Sequence, residues 1–403
     1  MKRKIAMLLL LTITTTLAMS GCKERSYSKV YVESNVVKIG VFEPMTGANS
    51  AGGALEVEGV KLANKLYPRV LGKKVELVLT DNKSDKVEAA SAASNLVEQQ
   101  NVNAIIGSWG SGNSMSAGDV IQDAKIPTVG ASCTNPLVTA GNEYYFRVCF
   151  IDPFQGSVMA KYTAEKLKAK KVALLQEVSS DYSVGICKFF TDEFVKLTGD
   201  KDAIIAKANY NTGDQDFSAQ LINLKSKNPD VIFAPGNFVE GALIIKQARQ
   251  LGIKTPIIGG DTWETPEFID IGKEAVEGTV FSTFFASEKP LTEESKIFLD
   301  AYRKQYKKEP SADTALAYDS YLVILDAIKR ANSADPVKIR DAIAKTKNFP
   351  GAAGVITIDE NNNAVKDAVL KVVKDGKFTY LDTIKPEENY IETSIGGVKY
   401  DYK

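Results

Sequence analysis

Short apolar runs rich in β-branched residues alternate with stretches in which apolar positions recur every three to four residues, along nearly the whole chain. That alternation is the pattern of parallel strands joined by crossover helices. Strands are expected over 36–42, 74–79, 103–106 and 127–130, with helices over 56–67, 85–100 and 114–124 between them. A second series follows Asp152-Pro153: helix to 169, strand 171–176, helix 184–197, strand 203–208, helix 218–227, strand 231–234, helix 240–251 and strand 256–259. The fold class is therefore α/β, with two Rossmann-like doubly wound lobes.

From about residue 291 the pattern turns helical again, with a long amphipathic stretch over 314–331. Asp335-Pro336 supplies an N-cap followed by the proline favoured at the first helical position. Runs at 355–358 and 370–380, the latter around Asp375-Gly376, predict strands and a hairpin turn. Three crossings between the lobes are expected, near 152, 283 and 357. They assign 36–152 plus 284–356 to lobe I and 153–283 plus 357–403 to lobe II.

At 403 residues, 44% hydrophobic and 25% charged, the chain has the proportions of a globular protein too long for one ordinary core. Lys2-Arg3-Lys4, the apolar run from Ile5 to about Met19 and then Ser20-Gly21-Cys22 form a secretory signal pattern over 1–21. Met19-Ser20-Gly21-Cys22 resembles a bacterial lipobox, which implies cleavage before Cys22 and its lipidation. Residues 22–35 then become a membrane-anchored tether. Without residues 1–21 the chain holds 47 basic and 50 acidic residues, a net charge of −3. That balance offers no basic field for nucleic acid.

The thiols after Cys22 are Cys133, Cys149 and Cys187, too few and too irregular for a zinc site or a disulfide framework. In an exported chain Cys149 and Cys187 are the pair that would bond, with three buried free thiols as the equal alternative. There is no histidine. Ser-His-Asp and Cys-His constellations are excluded, no metal or cofactor motif is present, and no enzymatic activity is expected.

The candidate chemistry lies at strand ends. Gly107-Ser108-Trp109-Gly110-Ser111-Gly112-Asn113-Ser114 follows an expected strand and opens a helix, presenting backbone N–H groups and hydroxyls to an anion. It matches neither the dinucleotide G-x-G-x-x-G nor the P-loop spacing. Ser132-Cys133-Thr134-Asn135-Pro136 repeats the arrangement one strand later. Asp261 follows Ile257-Ile258-Gly259-Gly260 at the carboxyl end of a second-lobe strand, where it could meet an ammonium. Read alone, each of these is also what an unoccupied turn or N-cap looks like.

Taken in order, Pro44-Met45-Thr46-Gly47, Gly107 to Ser116, Ser132 to Pro136, Phe146-Arg147 and Asp152-Pro153-Phe154-Gln155-Gly156 match one family. Asp181-Tyr182, Asp216-Phe217-Ser218, Gln247 to Gly252, Gly259-Gly260-Asp261 and Ala317-Tyr318-Asp319 continue the match. From Lys38 to about Ile384 the chain resembles the type I periplasmic binding proteins of ABC transporters, in the branched-chain amino acid group. The resemblance implies two lobes with three hinge strands closing on one ligand. It also implies a monomer, an extracytoplasmic location and delivery of an L-amino acid to a permease.

By the same resemblance, Ser111 contacts the ligand carboxylate, Ser132 and Thr134 the carboxylate and ammonium, Tyr182 closes over the ligand and Asp261 takes the ammonium. Trp109 and Phe238 stand where the family places side-chain contacts. Gly52 and Gly53 replace an aromatic position, so with Trp109 and Trp263 lending aromatic surface the pocket is expected to take an apolar side chain larger than valine. Asp319 and Lys86 are expected to be structural. A sensory receptor role, or a small amide or urea as ligand, are the rival readings.

Overall fold

The computed structural model describes residues 34–386. The signal pattern over 1–21, Cys22, most of the tether and the end of the chain from 387 lie outside the described residues. The first lobe begins with β1 (Val36–Glu43), α1 (Ser50–Leu66), β2 (Arg69–Val70), β3 (Lys73–Asp81) and α2 (Lys86–Ser94). It continues through β4 (Ala104–Ile106), α3 (Ser111–Ala124), β5 (Thr128–Gly130) and β6 (Tyr145–Arg147). The strands form one sheet in the order β2-β3-β1-β4-β5-β6, parallel except for the short edge strand β2.

The second lobe holds α4 (Asp152–Lys161), β7 (Val172–Glu177), α5 (Asp181–Thr198), β8 (Ile204–Tyr210), α6 (Ser218–Ser226), β9 (Val231–Phe233), α7 (Phe238–Gln250), β10 (Ile257–Ile258), α8 (Pro266–Gly272) and β11 (Val280–Thr283). Its parallel sheet runs β10-β9-β7-β8. A parallel bridge from Gly259 to Phe281 adds β11.

The chain then returns to the first lobe as α9 (Glu293–Tyr306), α10 (Ala312–Ala331), α11 (Pro336–Ile343), β12 (Phe349–Gly351), β13 (Gly354–Ile358) and β14 (Ala364–Val365). Asp335 caps α11 by accepting from Val337 N and Lys338 N. β15 (Ala368–Lys374) runs antiparallel to β11 in the second lobe and turns into β16 (Lys377–Ile384), antiparallel to β15, through a turn in which Asp375 and Gly376 both have positive φ. Positive φ at both central residues is what a tight hairpin with right-twisted strands requires.

Two expected boundaries move. The third crossing falls at Lys366-Asp367 rather than near 357, because Asn362 O accepts from Arg147 N, Asn362 Nδ2 donates to Asn142 O and Asn363 bonds Thr139, all in the first lobe. The helix expected from 56 starts at Ser50, its first turn carrying the two glycines that made it look like a loop. Cys133, Cys149 and Cys187 are buried free thiols, so the Cys149–Cys187 bond is not formed. Cys187 sits on α5 near Lys207 of β8, whereas Cys149 lies by Cys133 and Arg147 of the first lobe.

At the hinge, Glu264 is buried and joins the lobes: it accepts from Lys371 Nζ at 2.7 Å, Thr283 Oγ1 at 2.5 Å and Ala312 N, at the start of α10, at 3.1 Å. No helix among the described residues is long and apolar enough to cross a membrane.

Candidate functional site

In both sheets the chain reverses its winding direction beside the first strand, between β1 and β4 in one lobe and between β7 and β9 in the other. Loops at the carboxyl ends of strands flanking such a reversal splay apart and leave a crevice. Here the two crevices face each other and enclose a cavity of about 190 Å³. From the first lobe it is walled by Ala48 and Asn49 after β1, Ser84 and Lys86 after β3, Trp109 to Asn113 after β4 and Ser132 after β5. From the second come Glu177 and Ser179 to Tyr182 around the end of β7, Thr212 after β8, Asn237 after β9, and Asp261 and Thr262 after β10.

Ser111 is the first residue of α3, entered through Gly110 at φ 88°, and its Oγ accepts from Asn135 N at 3.1 Å. As first-turn groups, the N–H groups of Ser111 and Gly112 have no acceptor within the helix and favour negative charge in front of them. Across the cavity, Asp261 Oδ1 accepts from Gln155 Nε2 at 2.5 Å and Tyr182 OH at 2.8 Å. Burial pushes the Asp261 carboxyl up to about 6 while these two donors pull it back. One wall therefore suits an anion and the other a cation.

Of the expected contacts, Trp109, Ser111, Ser132, Tyr182 and Asp261 line the cavity and Thr134 and Phe238 do not. Thr134 is fully buried behind the wall, with its side chain against Asp152 of α4. Phe238 backs Trp109 edge-on, ring centres 6.2 Å apart. Trp263 is fully buried, stacked on Phe268 at 4.9 Å, and supplies no cavity surface.

The glycines open no extra room. A Cβ on Gly52 would collide with the indole of Trp109, and one on Gly53 with the backbone of Pro44, so the indole fills the space that Gly52 vacates. Trp109 Nε1 donates to Asp313 Oδ2 at 3.0 Å, which fixes the ring. The expectation of an enlarged pocket is thus corrected.

Several wall residues carried no signal in the sequence. Asn49 precedes α1 without capping it, and its Oδ1 accepts from Asn237 Nδ2 at 2.9 Å across the cleft. Glu177 accepts from Asn237 N and from Thr212 Oγ1, which ties three second-lobe loops together. Behind the wall, Arg147 of the Phe146-Arg147 motif is fully buried and donates to the carbonyls of Cys133 and Asn135 at 2.6 and 2.8 Å, which shapes the Ser132 loop.

Lys86 does more than hold a helix start. Its Nζ lies 2.6 Å from Asp181 Oδ2, joining the lobes at the cavity mouth. Gly112 permits this, since a Cβ there would stand 2.6 Å from that oxygen and 2.8 Å from Lys86 Cε. Both partners are partly exposed, so the pair contributes less than about 1 kcal/mol. Lys86→Ala is expected to raise the rate of ligand release about two- to fivefold at low salt and to lose its effect at 1 M salt, where exposed charges are screened. Stopped-flow dissociation at the two salt concentrations checks this, and a salt-independent change would deny the pair a role in closure.

Two lobes that reverse at facing crevices and meet around a small cavity with one anionic and one cationic wall define a two-lobed solute binder. The family profile described as periplasmic binding protein matches residues 36–377, and the chain belongs to that family, with the type I fold. Among relatives, the chain is 31% identical over 335 residues to a Leu/Ile/Val-binding protein of Rhizobium johnstonii, covering 81% of this chain and 88% of that protein.

Among solved structures it is similar to a leucine-binding protein of Thermotoga maritima, with 45% identity, a TM-score of 0.84 and coverage of 87% of this chain and 99% of that one. A branched-chain amino acid transporter substrate-binding protein of Streptococcus pneumoniae, solved with isoleucine, gives 37% identity, a TM-score of 0.81 and coverage of 87% and 100%.

Proposed function

We propose that this chain is an extracytoplasmic solute-binding lipoprotein, anchored through Cys22, that captures an L-amino acid with a branched apolar side chain and delivers it as a monomer to an ABC permease. Family membership supports the location and the transport role. The names of the Rhizobium, Thermotoga and Streptococcus relatives support the ligand class. The observation that carries the reading is the opposition of Ser111, at the start of α3, to Asp261, whose Oδ1 is already held by two donors. The first meets a carboxylate and the second an ammonium.

Trp109 and the Asn49–Asn237 pair bound the remaining space, which suits valine, isoleucine and leucine better than an aromatic side chain. Binding needs no bond to form or break. It requires only that the lobes close so that Tyr182 and Asp261 reach a ligand seated on the first lobe.

Calorimetry with L-leucine, its methyl ester and 4-methylpentanoic acid tests the reading. A hydrogen bond to a charged group contributes about 1.5–3 kcal/mol, so losing either charged end is expected to weaken binding about tenfold or more. Equal affinity for all three compounds would overturn it.

A further inference from the structure

Behind Ser132 lie two acids that do not line the cavity, Glu43 at the end of β1 and Glu56 on α1, both fully buried. Their outer oxygens are occupied. Glu43 Oε2 accepts from Trp109 N at 2.6 Å, and Glu56 Oε1 accepts from Ser132 Oγ. Their other oxygens, Glu43 Oε1 and Glu56 Oε2, are buried without a hydrogen-bond partner, the Ser108 hydroxyl beside Glu43 being directed to Trp109 O at 3.1 Å, and the two side chains are within hydrogen-bonding reach of each other. Two facing lone pairs in a dry interior repel, whereas one proton between them satisfies both oxygens.

The short bond from Trp109 N is of the charge-assisted kind and marks Glu43 as the ionised member. Glu56 then carries the proton. The groups packed around the pair are Asp313 of α10, Cys133 beside Ser132, Tyr145 of β6 and Cys149. The buried cation Arg147 acts on Cys133, Tyr145 and Cys149 but turns its guanidinium to the carbonyls of Cys133 and Asn135, at 2.6 and 2.8 Å, so between the two acids neutralisation comes from the proton. Burial accordingly pushes Glu43 up to about 8 and Glu56 well above the usual carboxylate range.

We propose that Glu56 is a positioning residue acting through Ser132: kept neutral by a proton shared with Glu43, it takes the Ser132 hydroxyl hydrogen and leaves Ser132 Oγ facing the cavity as an acceptor for the ligand ammonium. This rests on the reading that the cavity takes an α-amino acid. Ser132 then complements Asp261 from the opposite lobe, and a hydroxyl free to rotate becomes one that rejects a carboxylate at that point.

Glutamine reproduces the neutral acid, with an amide N–H toward Glu43 and a carbonyl toward Ser132. Glu56→Gln is therefore expected to bind L-leucine within about threefold of the unmodified protein at pH 7. Glu56→Ala should bind at least tenfold more weakly, and should add less than twofold in a Ser132→Ala background. Without ligand, the infrared carbonyl band of protonated carboxylic acid should diminish in Glu56→Gln.

A Gln variant as weak as the Ala variant, or independent effects of Glu56→Ala and Ser132→Ala, would overturn the positioning role. An infrared band unchanged by Glu56→Gln would overturn the shared proton. Failure of the unmodified protein to bind any amino acid would instead overturn the proposed function.

Discussion

Replacing Asp261 by asparagine is expected to weaken L-leucine binding at least about tenfold while leaving the fold intact. The amide keeps an oxygen for Gln155 Nε2 and Tyr182 OH, so the buried donors retain their acceptor. What it loses is the charge that faces the ammonium, and its N–H₂ group brings a donor against a donor. The unmodified protein should approach the same weakness at low pH. Its carboxyl titrates at about 6, and only the ionised form pairs with an ammonium, so affinity falls as the pH drops below 6, by at most tenfold per unit.

The variant should show no such fall. Asp319→Asn is the control, because Asp319 accepts from Ala352 N at 2.5 Å and Ala353 N at 2.9 Å, far from the cavity wall. It should lower the melting temperature and leave affinity within about twofold. Calorimetry from pH 5 to 8 on the three proteins decides: equal losses of affinity in both variants would place the ammonium elsewhere.

The order of strands and helices was legible because each lobe buries its sheet under helices, which stamps a period on the chain wherever a segment is long enough. What hid was local. The glycines at 52 and 53 disguise the first turn of α1, and the purpose of Gly52, room for the Trp109 ring, exists only once a strand end 57 residues later is folded against it. Strands β6 and β14 are too short to show a period, and the third crossing was misplaced with them.

At the site, residues that end a strand and begin a helix were readable, as Ser111 and Asp261 show. Residues whose meaning is a partner were not. Glu56 sits among Leu55, Val57 and Val60 as an acid inside an apolar face, and only the fold reveals Ser132 and Glu43 beside it. Lys86 likewise gains its role from Asp181, which the other lobe supplies.

The buried acids give the ligand-free protein an inverted response to pH: stability should fall as the pH rises from about 5 to 8. Burial pushes Glu56 well above the usual carboxylate range, Asp152 up to about 8, Asp319 to about 7 and Asp261 to about 6, whereas in the unfolded chain all four titrate near 4. Between those limits the folded state holds protons that the unfolded state has released. Raising the pH therefore favours unfolding, by about 1.4 kcal/mol per unit for each proton so held, before relaxation and entering water reduce it.

With several such protons the melting temperature is expected to be at least about 5 °C lower at pH 8 than at pH 5. Asp152 identifies one source. Only the Thr134 hydroxyl stands by its buried oxygens, so asparagine, which resembles the protonated acid, should match the unmodified protein at pH 5 and exceed it at pH 8. Thermal unfolding of both proteins across this range is the measurement. A melting temperature that climbs from pH 5 to 8, or an Asp152→Asn curve parallel to the unmodified one, would mean that these carboxyls are ionised in the folded protein and solvated by something other than the side chains around them.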